Sequence, residues 1–161
     1  MNLKNNYWIL LLSICLFSCD KQRVFDEYES LGGTWSKNDT LKFTLPKLDK
    51  QQYYNLFLNI RCNDDYPFNN IFVLVSMTQP DGVTKVDTLE YEMANPDGSL
   101  MGEGITDVKL SKLFYKEKFQ FKQNGVYKVN IQQALRKSSE VNGVKELKGI
   151  TEVGFRIETL N

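Results

Sequence analysis

The sequence predicts an all-β protein: an antiparallel two-sheet β-sandwich, jelly-roll-like in its connections, preceded by an N-terminal lipoprotein signal peptide. Three observations predict it. Period-two alternation of apolar and polar residues recurs along the chain, while helical periodicity is scarce. The alternating runs are separated by turn signals, Pro80-Asp81-Gly82, Asn95-Pro96-Asp97-Gly98, Asn124-Gly125 and Asn142-Gly143, whose residues supply the fixed or positive φ that tight turns need. Finally, an apolar stretch from Trp8 to Phe17 leads into Ser18-Cys19, too short to remain as a spanning helix and ending on the small residue that a lipoprotein signal peptidase requires.

Taken in order, residues 1–18 are the signal peptide, 19–23 a lipidated tether and 24–161 the sandwich domain. Cys19 is the lipidation site, carrying diacylglycerol and an N-acyl chain. At roughly 0.8 kcal/mol per buried methylene, these chains hold the polypeptide on a membrane while it stays in water. An ordinary signal peptide cleaved elsewhere is the alternative, because Phe17 is bulky for its position. Val24-Phe25-Asp26-Glu27-Tyr28 opens the strands. Leu41, Phe43 and Leu45 share one face and Pro46 stops the run. Tyr54, Leu56, Leu58 and Ile60 alternate with Asn55, Phe57, Asn59 and Arg61, a long strand with one richly apolar side. The continuous run Ile71–Val75 suits a central strand covered on both faces, and the more polar Val83–Met93 a partly exposed one. Leu110–Lys118 is open between helix and strand, because Leu110, Leu113 and Phe114 recur at helical spacing. Phe119–Phe121, Val126–Ala134 and Ile150–Ile157 complete the set, the last with Thr151, Val153, Phe155 and Ile157 expected on one face.

Composition excludes several classes. Basic and acidic residues balance at 20 each, so there is no excess of positive charge for a nucleic-acid partner. Histidine is absent, which removes histidine-based catalytic triads and histidine-ligated metal sites. The reading assigns no catalytic residue, no metal ligand and no cofactor beyond the lipid on Cys19; a carboxylate-only hydrolase is formally open. Of three cysteines, Cys15 departs with the signal and Cys19 is lipidated. Cys62 is left alone, following a strand pattern that implies a buried, inert thiol.

Two groups of residues stand out as candidate interaction sites. Arg61, Asp64, Asp65 and Tyr66 fall where a strand gives way to a loop, the usual place for a scaffold to present functional side chains. They suit either a grip on a partner's charged group or a strand-end salt bridge beside a turn at Tyr66-Pro67, a candidate cis bond. Gln132 and Arg136 lie on or just after another strand. Gln132 points away from its apolar face, whereas Gln133 shares that face and needs partners for its amide. Arg156 and Glu158 are expected to form ordinary cross-strand charge pairs of small value. Tyr53, Tyr54, Phe57, Tyr66 and Phe68 raise a rival reading, a glycan-binding module, which would need exposed coplanar rings.

In sequence order, Val24-x-x-x-Tyr28, Trp35, Leu58-Asn59-Ile60-Arg61, Tyr66-Pro67-Phe68-Asn69-Asn70-Ile71, Asp87-Thr88-Leu89, Gly98-x-x-x-Gly102-x-Gly104, Gly125-Val126-Tyr127, Ile131-Gln132-Gln133-Ala134-Leu135-Arg136 and Gly149-Ile150-x-x-Val153-Gly154-Phe155-Arg156-Ile157-Glu158 resemble the GldH family, gliding-motility-associated lipoproteins of Bacteroidota. The resemblance spans essentially the whole mature domain. It implies a cell-envelope protein, and no reaction, whose partners are the membrane, through its lipid anchor, and other envelope proteins of the gliding apparatus and the associated type IX secretion system, and the function expected is non-catalytic. The expected location is the periplasmic face of a membrane, inner and outer being equally compatible. An acidic run after the lipidated cysteine, of the kind linked to surface export, is missing because Lys21-Gln22-Arg23 follow Asp20.

Overall fold

A computed structural model describes residues 20–136 and 143–160. Residues 1–18, expected to form the signal peptide, Cys19 and Asn142 of one expected turn lie outside the described residues. Ten strands follow one another: β1 (Arg23–Ser30), β2 (Thr34–Ser36), β3 (Leu41–Thr44), β4 (Tyr53–Cys62), β5 (Asn70–Thr78), β6 (Thr84–Glu92), β7 (Lys109–Gln120), β8 (Lys128–Gln133), β9 (Glu146–Lys148) and β10 (Ile150–Thr159). Every pairing is antiparallel.

The pairing has one logic. The first strand pairs with the last, β2 with β9, β3 with β8, β4 with β7 and β5 with β6. The chain is therefore one long antiparallel ribbon, closed at its tip by the β5–β6 hairpin. Folding the ribbon over and joining β10 to β4 and β8 to β5 gives two four-stranded sheets, β1-β10-β4-β7 and β3-β8-β5-β6. This is the jelly-roll arrangement. At the ribbon's tip Gly82, at φ 86°, closes the turn by donating its N–H to the Gln79 carbonyl at 2.9 Å.

The core lies between the sheets. Leu56, Leu58, Ile60 and Cys62 of β4 and Val153, Phe155 and Ile157 of β10 face Val73 and Val75 of β5 and Val129 and Ile131 of β8, all fully buried. Phe155 is at its centre, with the rings of Phe25, Phe43 and Tyr115 at 6.5, 6.2 and 6.1 Å. Connections alternate between two poles. Asp20, the β3–β4 loop, the β5–β6 turn and the β7–β8 loop share the N-terminal pole, sealed inside by Tyr54, Phe121 and Tyr127. The β4–β5 and β6–β7 loops and the described ends of the β8–β9 connection share the far pole.

Several expectations are revised. Leu110–Lys118 is strand, within β7, and its register against β4 sets Phe114 opposite Phe57 on the outer face, with irregularities beyond Phe114. In β5 Phe72 and Leu74 are only partly covered while Ile71, Val73 and Val75 are buried, so that strand has one core face rather than two. A bulge between Ile150 and Glu152 takes Thr151 off the core face and puts Ile150 on it. Tyr66-Pro67 is trans.

Candidate interaction surface

The outer face of the β1-β10-β4-β7 sheet is assembled around a largely covered arginine. Arg156 of β10 retains 14% side-chain exposure and reaches three carboxylates: Asp26 at 2.7 Å, Glu158 at 2.6 Å, and Asp20 ahead of β1. The carboxylate bonds raise the Arg156 pKa, although burial alone would lower it, and the Asp20 carboxyl falls below its ordinary range chiefly through that bond. This is not the ordinary surface charge pair the sequence suggested. On β4 next to it, Asn59 is 2% exposed and donates through Nδ2 to the Tyr28 hydroxyl at 2.7 Å and to Asp26 at 3.4 Å. Its Oδ1 has no hydrogen-bond partner among the described residues.

Glycine and aromatics complete this face. Tyr28 lies across Gly154, where a Cβ would stand 2.7 Å from its ring. Lys112 bonds Glu158 at 2.7 Å and covers the Phe57 ring at 4.2 Å. Phe114, packed 4.5 Å from Phe57, is 56% exposed.

Arg61 belongs to this same face. Its guanidinium bonds Glu152 at 2.5 Å and lies 4.9 Å from the Tyr28 ring centre, so its carboxylate partner is on β10 rather than at Asp64 or Asp65. Those two acids are exposed on the far pole. The Asn63 side chain accepts the Asp65 N–H at 3.2 Å, and its carbonyl the Tyr66 N–H at 3.0 Å, an Asx turn that aims both acids outward. Tyr66 itself is buried, donating its hydroxyl to the Asn70 carbonyl at 2.7 Å, and burial pushes its phenol well above the ordinary range. Its backbone rests on Gly149, where a Cβ would come within 2.3 Å of the Tyr66 nitrogen.

Gln132 and Arg136 are not brought to these residues. Gln132 alternates with buried Ile131 and Gln133, which puts it on the outer face of the other sheet, and Arg136 follows it, exposed, towards the far pole. Gln133 ties down the chain after β8: it donates to the Val144 carbonyl at 2.7 Å and accepts the Leu135 N–H at 3.2 Å. Of the five aromatics considered for sugar stacking, Tyr54, Phe57 and Tyr66 are buried, which leaves Tyr53 and Phe68 from that set. Burial raises the Cys62 thiol to about 11.

The β6–β7 loop carries no alternating pattern that would mark it as a site. It spans the far pole between Glu92 and Lys109 and is held to the sheet by reciprocal backbone bonds between Glu103 and Leu110 at 2.9 and 2.8 Å. Gly102 and Gly104 permit that contact: a Cβ would lie 2.6 Å from the Leu110 oxygen at the first and 2.3 Å from the Val108 oxygen at the second. Just before these clamps Met101 is partly exposed, and between them and β7 Ile105 is entirely exposed. Since β4 pairs with β7 through Cys62 and Lys109, this loop and the Asp64-Asp65 turn are neighbours. The available signal was Gly102-x-Gly104 followed by an isoleucine outside any alternating run.

Comparison with known proteins follows the same extent of chain. Residues 23–157 match the family described as GldH lipoprotein. The chain is 59% identical over 158 residues to "Gliding motility lipoprotein GldH" of Flavobacterium johnsoniae, covering 98% of each chain. It is 50% identical over 152 residues to "Gliding motility lipoprotein GldH homolog" of Christiangramia forsetii, covering 94% of this chain and 93% of that one. Among solved structures, the infectious bursal disease virus VP2 subviral particle aligns at 13% identity with a TM-score of 0.44, over 86% of this chain and 33% of that one.

Proposed function

The chain belongs to the GldH lipoprotein family, and we propose that it supports gliding motility, with the protein secretion machinery tied to it, as a non-catalytic domain anchored at Cys19 and working through protein contacts at its far pole. The observation that carries this reading is Ile105, a large apolar side chain left wholly in water on a long loop fastened at both ends to a rigid sheet. Long ordered loops of this kind are typically functional. A single exposed isoleucine beside Met101 and the acids of the neighbouring turn offers an apolar anchor with a polar rim, the usual composition of a modest protein interface. Confinement to a membrane raises the effective concentration of partners on the same surface, so a modest interface suffices.

The test is complementation of a gliding strain that lacks its own copy. Ile105→Glu should abolish colony spreading while leaving protein level and thermal midpoint unchanged, because the side chain packs against nothing in the folded domain. Normal spreading with Ile105→Glu combined with Asp64→Lys and Asp65→Lys would overturn the far-pole assignment.

A further inference from the structure

The chain's charges balance overall but not along its axis. The N-terminal pole exposes Lys21, Lys47, Lys50, Lys118, Lys122 and Lys128, against Asp20, Asp49, Asp81 and Glu117. Those acids are partly engaged: Asp20 is held by Arg156, while Asp49 and Asp81 accept N–H groups of their own loops. At the far pole the balance among the described residues reverses, with Asp64, Asp65, Glu92, Asp97, Glu103 and Asp107 exposed against Lys37, Arg136, Lys145 and Lys148.

Apolar side chains are exposed at both poles, Ile105 and Met101 at the far one. Tyr53 at 51%, Val83 at 52% and Val126 at 45% stand in water at the N-terminal pole, interleaved with the lysines. A cavity of about 140 Å³ lies there too, lined by Lys85, Lys116 and Lys122 with Met77, Phe119 and Tyr127. That volume is similar to cavities that hold one benzene-sized molecule. Lys116 is paired with Asp87 at 2.8 Å; neither Lys85 nor Lys122 has a carboxylate within ion-pair distance among the described residues.

We infer that the N-terminal pole is a membrane-contact surface that binds the headgroups of anionic phospholipids, holding the domain upright with its far pole directed away from the bilayer. Lysines interleaved with a tyrosine and small apolar residues are the chemistry of a bilayer interface, the ammonium groups meeting phosphates and the apolar side chains entering the headgroup layer. Each basic side chain near an anionic surface strengthens association roughly fivefold. The position of the chain's start selects this occupant over a soluble anion. Asp20, next to Cys19 in the sequence, is held by Arg156 ahead of the start of β1, so an acyl chain on Cys19 brings this end of the domain to the lipid surface. The inference rests on the anchor reading for which pole meets the membrane, and it adds a second, non-covalent attachment that sets orientation.

The test is amine-reactive footprinting of the full lipoprotein on vesicles of phosphatidylcholine alone, and on vesicles of equal parts phosphatidylglycerol and phosphatidylcholine. Lys47, Lys50, Lys122 and Lys128 should lose labelling severalfold on the anionic vesicles while Lys37, Lys145 and Lys148 label as before. The triple variant Lys50→Glu, Lys122→Glu, Lys128→Glu, matched to the parent in thermal midpoint, should stay attached yet lose the protection of Lys47. Equal labelling of the two poles on anionic vesicles by a protein that floats with them overturns the inference and leaves the anchor intact. Failure to float with the neutral vesicles overturns the anchor instead; in that case flotation with the anionic vesicles alone supports the headgroup surface, and flotation with neither overturns it.

Discussion

Arg156→Ala is the substitution whose cost the structure fixes most sharply. Arg156, Asp26 and Glu158 have side-chain exposures of 14%, 13% and 11%. Removing the guanidinium takes the principal counter-charge from two shielded acids and releases Asp20. Asn59 alone then remains bonded to Asp26, at 3.4 Å, and Lys112 to Glu158, at 2.7 Å. Breaking a buried ion pair by deleting one partner costs about 3 to 5 kcal/mol, because the surviving charge is left without compensation. Partial solvent access favours the lower figure. At roughly 3 °C per kcal/mol for a domain of this size, the thermal midpoint should fall by about 10 °C. Arg61→Ala is the matched control, since the Arg61–Glu152 pair is 40% and 31% exposed and such pairs contribute under about 1 kcal/mol. Arg156→Lys should recover only part of the loss, because one ammonium group cannot reproduce the geometry of a fork that meets three acids. Urea titration of the three variants reads these differences directly. A loss below about 1 kcal/mol for Arg156→Ala, or an equal loss for Arg61→Ala, would refute the buried-network account.

Other outcomes follow from single contacts. Asp87, bonded by Lys116 at 2.8 Å and Tyr115 at 2.7 Å, has its carboxyl held below the usual 3.8, first by the Lys116 bond. Its stabilising contribution is therefore complete above that unfolded-state value and is lost as pH falls through the lower folded one. Asp87→Asn should be the less stable form near neutrality, with the gap in thermal midpoint closing between about pH 5 and about pH 2; a constant gap would exclude the pair as its source. Cys62, fully buried and raised to about 11, should resist a thiol reagent in the native protein and react once urea unfolds it. Gly149→Ala meets both a φ of 82° and the Tyr66 backbone at 2.3 Å, and should cost more than about 2 kcal/mol or prevent folding; soluble expression with an unchanged midpoint would contradict the packing described.

The fold was legible wherever burial on one face dictates residue choice. Leu41, Phe43 and Leu45, and Tyr54 through Ile60, display their faces directly, because a strand's side chains alternate and only one side must be dry. Bulges broke that parity. The irregularity at Ile150 shifted the face assigned to Thr151, while Leu110 and Phe114 on the outer face and Leu113 on the inner one, in a regular stretch of β7, imitate helical spacing because apolar residues fall on both faces of the strand. Strands β2 and β9 are three residues each, too short to show a period, although Trp35 marks the first. Which strand pairs with which is non-local, so the site was less legible than the fold. The chain order of Arg61, Asp64, Asp65 and Tyr66 suggested one cluster, yet pairing with β10 gives Arg61 to Glu152 and burial takes Tyr66 into the core. Arg156 looked like an ordinary outward strand residue because its three acidic partners come from Asp20, β1 and its own strand. Ile105 carries no periodic signal, and its meaning depends on an exposure that only the folded loop defines.

The most direct measurement of the central claim is photo-crosslinking in living envelopes, with the photoreactive amino acid placed at Ile105 on the far pole and, separately, at Val83 on the N-terminal pole. The account predicts a discrete protein adduct from position 105 that disappears when Cys19→Ala removes the anchor, and lipid rather than protein adducts from position 83. Protein adducts from position 83 with none from position 105 would contradict it.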